Sequence, residues 1–201
     1  MLRTFVAVDL SPLLRSSIDA LTARMRKEFP EARLRWSPAT NVHLTLKFLG
    51  ATPDDQVPAI LRALESAVHE VEPFPLTPKG IGAFPPRGLP RVVWLGLEGE
   101  VDRLRELAEA VEKALNPLGF PRENRPFSPH LTIARAPRSG SDRRIGEILQ
   151  SLSNLDSLSF RPFPVEKVTL IESRLGTPHS VYLPLGSLKF RGIGIVPSRG
   201  T

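Results

Sequence analysis

Apolar and polar positions along this chain follow two different periods, and the periods recur in a fixed order. Arg3 to Leu10 is a short run of β-favouring residues. Ser11-Pro12 follows, with Ser suited to a helix N-cap and Pro to the first helical position. Apolar residues at Leu14, Ile18, Leu21 and Met25 then share one helical face. Pro30 and Pro38 bound a short segment around Trp36, after which Val42 to Leu49 predicts a strand. A turn at Gly50 to Pro53 leads to a second helical face of Val57, Ile60, Leu61, Leu64 and Val68. The Pro-rich stretch from Pro73 to Pro90 carries a strand near Leu76 to Ile81 and then a loop.

The second half replays this order. Arg91 to Leu97 predicts a strand, and Val101, Leu104, Ala108, Val111 and Leu115 a helix stopped by Asn116-Pro117 and Gly119. Arg122 to Pro129 is an irregular approach to a strand at His130 to Arg135. Ile145, Ile148, Leu149 and Leu152 predict a short helix. Val165 to Ser173 and Ser180 to Phe190 predict a closing hairpin around Gly176-Thr177-Pro178, with a frayed tail from Gly192. The matching order predicts a single α+β domain made by internal duplication, its two β-α-β lobes facing each other. The first half spans about 1–85 and the second about 90–190, interleaved, with 191–201 as tail.

A tetrapeptide sharpens the duplication. His43-Leu44-Thr45-Leu46 recurs as His130-Leu131-Thr132-Ile133 at the corresponding place in each half, and these are two of only four histidines. On a strand, residues i and i+2 share a face. His43 and Thr45 therefore share one, with Lys47, while Leu44, Leu46 and Phe48 face the core. His130 and Thr132 share one likewise, with Leu131, Ile133 and Arg135 behind them. Two such strands side by side would floor a cleft with two imidazoles and two hydroxyls. A single His-x-Thr is commonly a structural histidine beside a β-favouring threonine; two copies in equivalent frames point to a site.

The chemistry of that set is specific. Imidazole titrates near pH 6.5, so one of a pair can hold a proton while the other accepts one. Displacement at phosphorus needs a base for the attacking oxygen and an acid for the leaving one. Threonine hydroxyls can hold the non-bridging phosphate oxygens. No metal or cofactor is expected, since no His-x-His, HExxH or third neighbouring ligand appears. His69, near a helix end, and His179, in a turn, are expected at the surface.

Charge suggests the partner. Lys plus Arg number 27 against 21 Asp plus Glu, a net charge of +6. Six arginines (122, 125, 135, 138, 143 and 144) crowd the second motif against Glu123 and Asp142. After Glu172 the only charged side chains are Arg174, Lys189, Arg191 and Arg199. Such a surface attracts a polyanion such as RNA. The absence of cysteine excludes disulfides and thiolate chemistry. Neither a signal peptide nor an apolar run of membrane-spanning length is present, so a soluble, cytoplasmic monomer is expected.

The two motifs, with Phe5-Val6-Ala7-Val8-Asp9-Leu10, the Trp36 segment, Val93-Trp94-Leu95-Gly96 and Arg125-Pro126-Phe127-Ser128-Pro129-His130, resemble the 2H phosphoesterase superfamily. The likeness spans about residues 1 to 190 and is nearest to the RNA 2′,3′-cyclic phosphodiesterases, also called 2′-5′ RNA ligases. It implies a bilobal fold with two antiparallel sheets lining a central cleft. It also implies hydrolysis of a 2′,3′-cyclic phosphate at an RNA 3′ end, or of a cyclic nucleotide, to a 2′-phosphomonoester. By the family pattern His43 is the proton donor and His130 the proton acceptor, and Thr45 and Thr132 hold phosphate. Arg135 falls where relatives carry a basic residue, although strict alternation turns it away unless a bulge re-aims it. Phe48, Trp36 and Phe127 are candidates to stack on a terminal base. Two other readings remain: ATP-independent 2′-5′ joining of RNA ends by the same chemistry, and a non-catalytic RNA- or nucleotide-binding module.

Overall fold

The computed structural model describes residues 1–86, 90–137, 145–153, 160–176 and 179–191. The elements run β1 (Leu2–Val8), α1 (Pro12–Glu28), β2 (Arg35–Trp36), β3 (Leu44–Thr52), α2 (Val57–Val68), β4 (Phe74–Phe84), β5 (Val92–Gly99), α3 (Val101–Leu115), β6 (Leu131–Arg135), α4 (Ile145–Ser153), β7 (Phe163–Val165), β8 (Lys167–Arg174) and β9 (Val181–Lys189). The helix signals act as expected. The Ser11 hydroxyl accepts the Leu14 N–H at 3.3 Å, and Leu14, Ile18, Leu21, Thr22 and Met25 are buried on one face of α1. After α3 and a 3-10 turn, Gly119 takes a left-handed φ of 89°, which a side chain would resist.

Every strand pairing is antiparallel, in the order β7-β4-β5-β6-β3-β1-β8-β9, with β2 added to β6. The expected two antiparallel sheets, β3-β1-β8-β9 and β6-β5-β4-β7, are continuous through one residue pair, Leu44 opposite Leu131. A pseudo-twofold axis passes there, with a motif strand on either side. The halves exchange strands. β4 comes from the first half but bonds to β5 of the second, while β8 and β9 come from the second and extend β1.

The core explains the faces. Val6 and Val8 join the large cluster containing Ile18, Ile60, Leu64, Leu104, Val111, Leu131 and Ile133, which places helices α1, α2 and α3 over one side of the sheet. Phe5 and Ala7 alternate to the other side, into a small cluster with Ile171 and Tyr182.

Several boundaries differ from the sequence expectation. β3 continues through Gly50 to Thr52, because an irregularity opposite Thr4 and Phe5 lets Gly50 adopt φ 73° inside the strand. β4 runs from Phe74 to Phe84 despite two prolines; a register shift between Pro78 and Ile81 absorbs Lys79 and Gly80. β7 is an additional strand in a Phe-Pro-Val stretch that carries no alternation, and it pairs at the β4 edge, where proline is tolerated. The hairpin tip at Thr177-Pro178, the tail from Gly192, and Arg138, Arg143, Arg144 and Arg199 lie outside the described residues. No described helix is long and apolar enough to cross a membrane.

Candidate active site

A cleft of about 830 Å³ opens where the two motif strands meet. His43, Thr45, His130, Thr132 and Arg135 all line it, so the five residues singled out in the sequence come together. Extending the antiparallel register from Leu44–Leu131 sets His43 across from Thr132 and Thr45 across from His130. The imidazoles and hydroxyls therefore alternate around the axis. No described residue hydrogen-bonds either hydroxyl, leaving both available to a ligand.

Each imidazole is held in the same way. His43 Nδ1 lies 2.8 Å from the carbonyl of Asn41, and His130 Nδ1 lies 2.7 Å from the carbonyl of Ser128, in both cases two residues back. A carbonyl only accepts, so Nδ1 carries the proton and donates it, and Nε2 is left free to accept or give a proton. Aromatic rings fix each ring plane. Phe5 and Tyr182 lie 4.6 and 5.1 Å from His43, and Phe84 and Trp94 lie 5.0 and 6.3 Å from His130, centroid to centroid.

The segment before β3 is anchored as well. Arg15 donates to the carbonyls of Leu10, Ala39 and Val42 at 3.2, 2.7 and 3.3 Å. The Asn41 amide donates to the Ser180 carbonyl at 2.8 Å, tying this segment to the start of β9 and hence to Tyr182.

Electrostatics separate the two histidines. Burial pushes the His43 imidazole down from 6.5 to about 4, with the Arg135 and Arg15 charges acting in the same direction; the Asn41 hydrogen bond and the Asp9 charge oppose the shift. Three arginines, Arg3, Arg35 and Arg135, line the cleft, and no carboxylate does among the described residues.

Both motif strands carry a β-bulge at the same place, three residues past the histidine. Opposite β1, Ala7 pairs with Thr45 and Val6 with Lys47, leaving Leu46 extra. Opposite β5, Trp94 pairs with Thr132 and Val93 with Ala134, leaving Ile133 extra. A bulge inverts the facing of everything beyond it. Lys47 therefore does not reach the cleft rim. It is buried, bonded to Glu112 at 2.5 Å and to the Pro121 carbonyl at 2.7 Å. Phe48, expected in the core, is 69% exposed and lines the cleft. Arg135, which alternation turned away, faces the cleft.

Other expectations change with the packing. Trp36 is in the core and Phe127 packs against it, so neither is placed to stack on a ligand. His179, expected at the surface, lies half-buried in the cleft wall, whereas His69 is exposed. Arg3, Arg35, Asn41 and Tyr182 also line the cleft, and no local pattern in the sequence marked them. The described residues hold no group of three or more His, Cys, Asp or Glu placed to share an ion.

The 2′-5′ RNA ligase superfamily profile matches residues 10–177. The chain is 32% identical over 188 residues to the Archaeoglobus fulgidus RNA 2′,3′-cyclic phosphodiesterase, covering 92% of this chain and 98% of that protein. It is 30% identical over 184 residues to the Aquifex aeolicus protein of the same name, covering 90% and 94%. Among solved structures, a protein of Thermus thermophilus superposes with a TM-score of 0.73 at 31% identity, over 94% of this chain and 98% of that one. Escherichia coli LigT complexed with 3′-AMP superposes with a TM-score of 0.71 at 27% identity, over the same shares. With its paired His-x-Thr strands flooring one cleft, the chain belongs to the 2′-5′ RNA ligase superfamily, the 2H phosphoesterases.

Proposed function

We propose that the protein hydrolyses 2′,3′-cyclic phosphate ends of RNA to 2′-phosphomonoesters by acid–base catalysis between His43 and His130. The observation that carries this reading is the matched pair of imidazoles. Each is locked through Nδ1 to the carbonyl two residues back, and each leaves Nε2 to the same cleft. Binding alone would require neither. The names of the relatives and the 3′-AMP in the LigT complex support an RNA-type substrate.

In the proposed reaction the phosphorus sits between the imidazoles, its non-bridging oxygens held by the Thr45 and Thr132 hydroxyls. His130 Nε2 takes a proton from water as the water oxygen bonds to phosphorus. The P–O3′ bond breaks, and the proton on His43 Nε2 passes to the departing 3′ oxygen. The phosphate stays on the 2′ oxygen. In the free protein His43 is neutral at pH 7. The substrate's negative charge favours the imidazolium, so the acid is loaded by the substrate it serves. Arg135 adds positive charge beside the same phosphate.

Product identification tests this reading. An oligonucleotide ended by a 2′,3′-cyclic phosphate should yield the 2′-phosphate, and a 3′-phosphate product would reverse the leaving oxygen. Alanine at either His43 or His130 should abolish turnover, and EDTA should leave it unchanged. Replacing water by an RNA 5′-hydroxyl gives 2′-5′ joining by the same steps, so a 5′-hydroxyl oligonucleotide added to the assay should yield a minor ligated product.

A further inference from the structure

Arg35 on β2 and Arg135 on β6 are direct cross-strand partners in the antiparallel register. Their Cβ atoms therefore stand about 4.5–5.5 Å apart on one face, and like charges so placed destabilise a sheet. Both side chains are exposed, both line the cleft, and neither has a carboxylate partner among the described residues. Val92, opposite Arg135 on β5, and Trp36 and Ala134 beside the pair bring no negative charge. A fold that keeps two unneutralised guanidinium groups opposed in a cleft without acids has built an anion site.

The two arginines differ in their distance from the chemistry. The Arg135 charge is felt at His43. β2 lies beside β6 on the same flank as β3, beyond the start of β3, so the positive charge runs along the cleft from the histidines to the Arg135–Arg35 pair. Beyond Thr132, the three residues to Arg135 span about 10 Å of strand. At that spacing Arg135 is among the charges that act on His43 and Arg35 is not, which leaves Arg35 for the next charged group of an extended strand.

We propose that Arg35, acting with Arg135, holds the phosphodiester that joins the terminal nucleotide to the rest of the RNA, so that the cleft selects RNA ends over cyclic mononucleotides. This rests on the proposed function above. Arg35 is then a specificity-determining residue, and the 5′ neighbour of the reacting nucleotide is part of the substrate.

The test compares adenosine 2′,3′-cyclic phosphate with a dinucleotide bearing the same cyclic end, in the wild type and in Arg35→Gln. The wild type should favour the dinucleotide by about tenfold or more in kcat/KM. Arg35→Gln should remove about tenfold from the dinucleotide, through KM, and leave the mononucleotide within about twofold. The slope of log KM against log salt for the dinucleotide should fall by about 0.7, one single-strand phosphate contact. The variant's melting temperature should hold or rise, because the substitution relieves a like-charge pair.

Equal losses on both substrates, or no loss on either, would overturn the assignment. If the wild type hydrolyses neither substrate, the proposed function fails on its own. The affinity of wild type and Arg35→Gln for a dinucleotide 2′-phosphate then decides the Arg35 assignment: equal affinities overturn it, and a roughly tenfold loss in the variant supports it.

Discussion

Phe48 and Arg135 occupy the same place in the two halves of the molecule, five residues past His43 and His130, and each is turned into the cleft by a bulge at the same step of its strand. The duplicated backbone thus offers two equivalent positions to one ligand. One carries an aromatic ring and the other a guanidinium. A nucleotide has the matching asymmetry, a flat base at one side and a phosphate chain at the other.

Phe48 is therefore expected to carry the base. Base–aromatic stacking is worth about 1–3 kcal/mol, so Phe48→Ala should raise KM for an RNA end by roughly 5- to 150-fold. Phe48→Trp should stay near wild type. Steady-state kinetics on both variants checks this, and a Phe48→Ala enzyme with unchanged KM would show that the ring meets no base.

The donor role of His43 predicts a leaving-group rescue. A cyclic substrate with sulfur at the 3′ bridging position expels a thiolate, which departs without protonation. His43→Ala should recover activity on that substrate by orders of magnitude relative to the oxygen substrate, and His130→Ala should not. Rescue of the His130 variant instead would exchange the two roles.

Burial of His43 shapes the pH dependence of both rate and stability. In the free protein its imidazole titrates near pH 4, and kcat/KM reports free-protein ionisations, so one limb of its pH profile should lie near 4 and not near 6.5. Arg135→Gln removes a charge that lowers this value and should move the limb upward. Unfolded chains protonate His43 below pH 6.5, while the folded protein does so only near 4. Stability is accordingly unaffected above 6.5 and declines as pH falls across that window, by on the order of 3 kcal/mol at most. Urea unfolding of wild type and His43→Gln between pH 7 and 4 should show this part of the decline vanish in the variant.

Lys47 is expected to act on stability rather than catalysis. Its ammonium is buried against Glu112 and the Pro121 carbonyl, which pins α3 and the turn after it to β3. Lys47→Ala strands the Glu112 carboxylate and should cost about 3–5 kcal/mol. Lys47→Met with Glu112→Leu should recover most of that. Chemical denaturation measures both, and kcat per folded molecule should stay near wild type throughout.

The helices and most strands were legible along the chain because their causes are local. The Ser11-Pro12 cap and the spacing of Leu14, Ile18, Leu21 and Met25 act within one or two turns of helix, and α1 starts and buries where they direct. The His-x-Thr pair was legible for the same reason, since i and i+2 share a face on any strand and the motif occurs twice. Past the third residue beyond each histidine, simple alternation misplaced Lys47, Phe48 and Arg135. The bulges that invert them arise from pairing with β1 and β5, strands distant in sequence.

By itself, then, the sequence determined the two chemical groups of each half and the elements that carry them. The tertiary structure alone decided what surrounds them. It exchanged β4 and β8 between the halves, set Tyr182 and Phe5 against His43, and opposed Arg35 to Arg135. These contacts join residues tens to more than a hundred positions apart. Side-chain periodicity is a property of neighbouring residues, whereas register, bulges and the depth at which an imidazole is buried are properties of which strands meet.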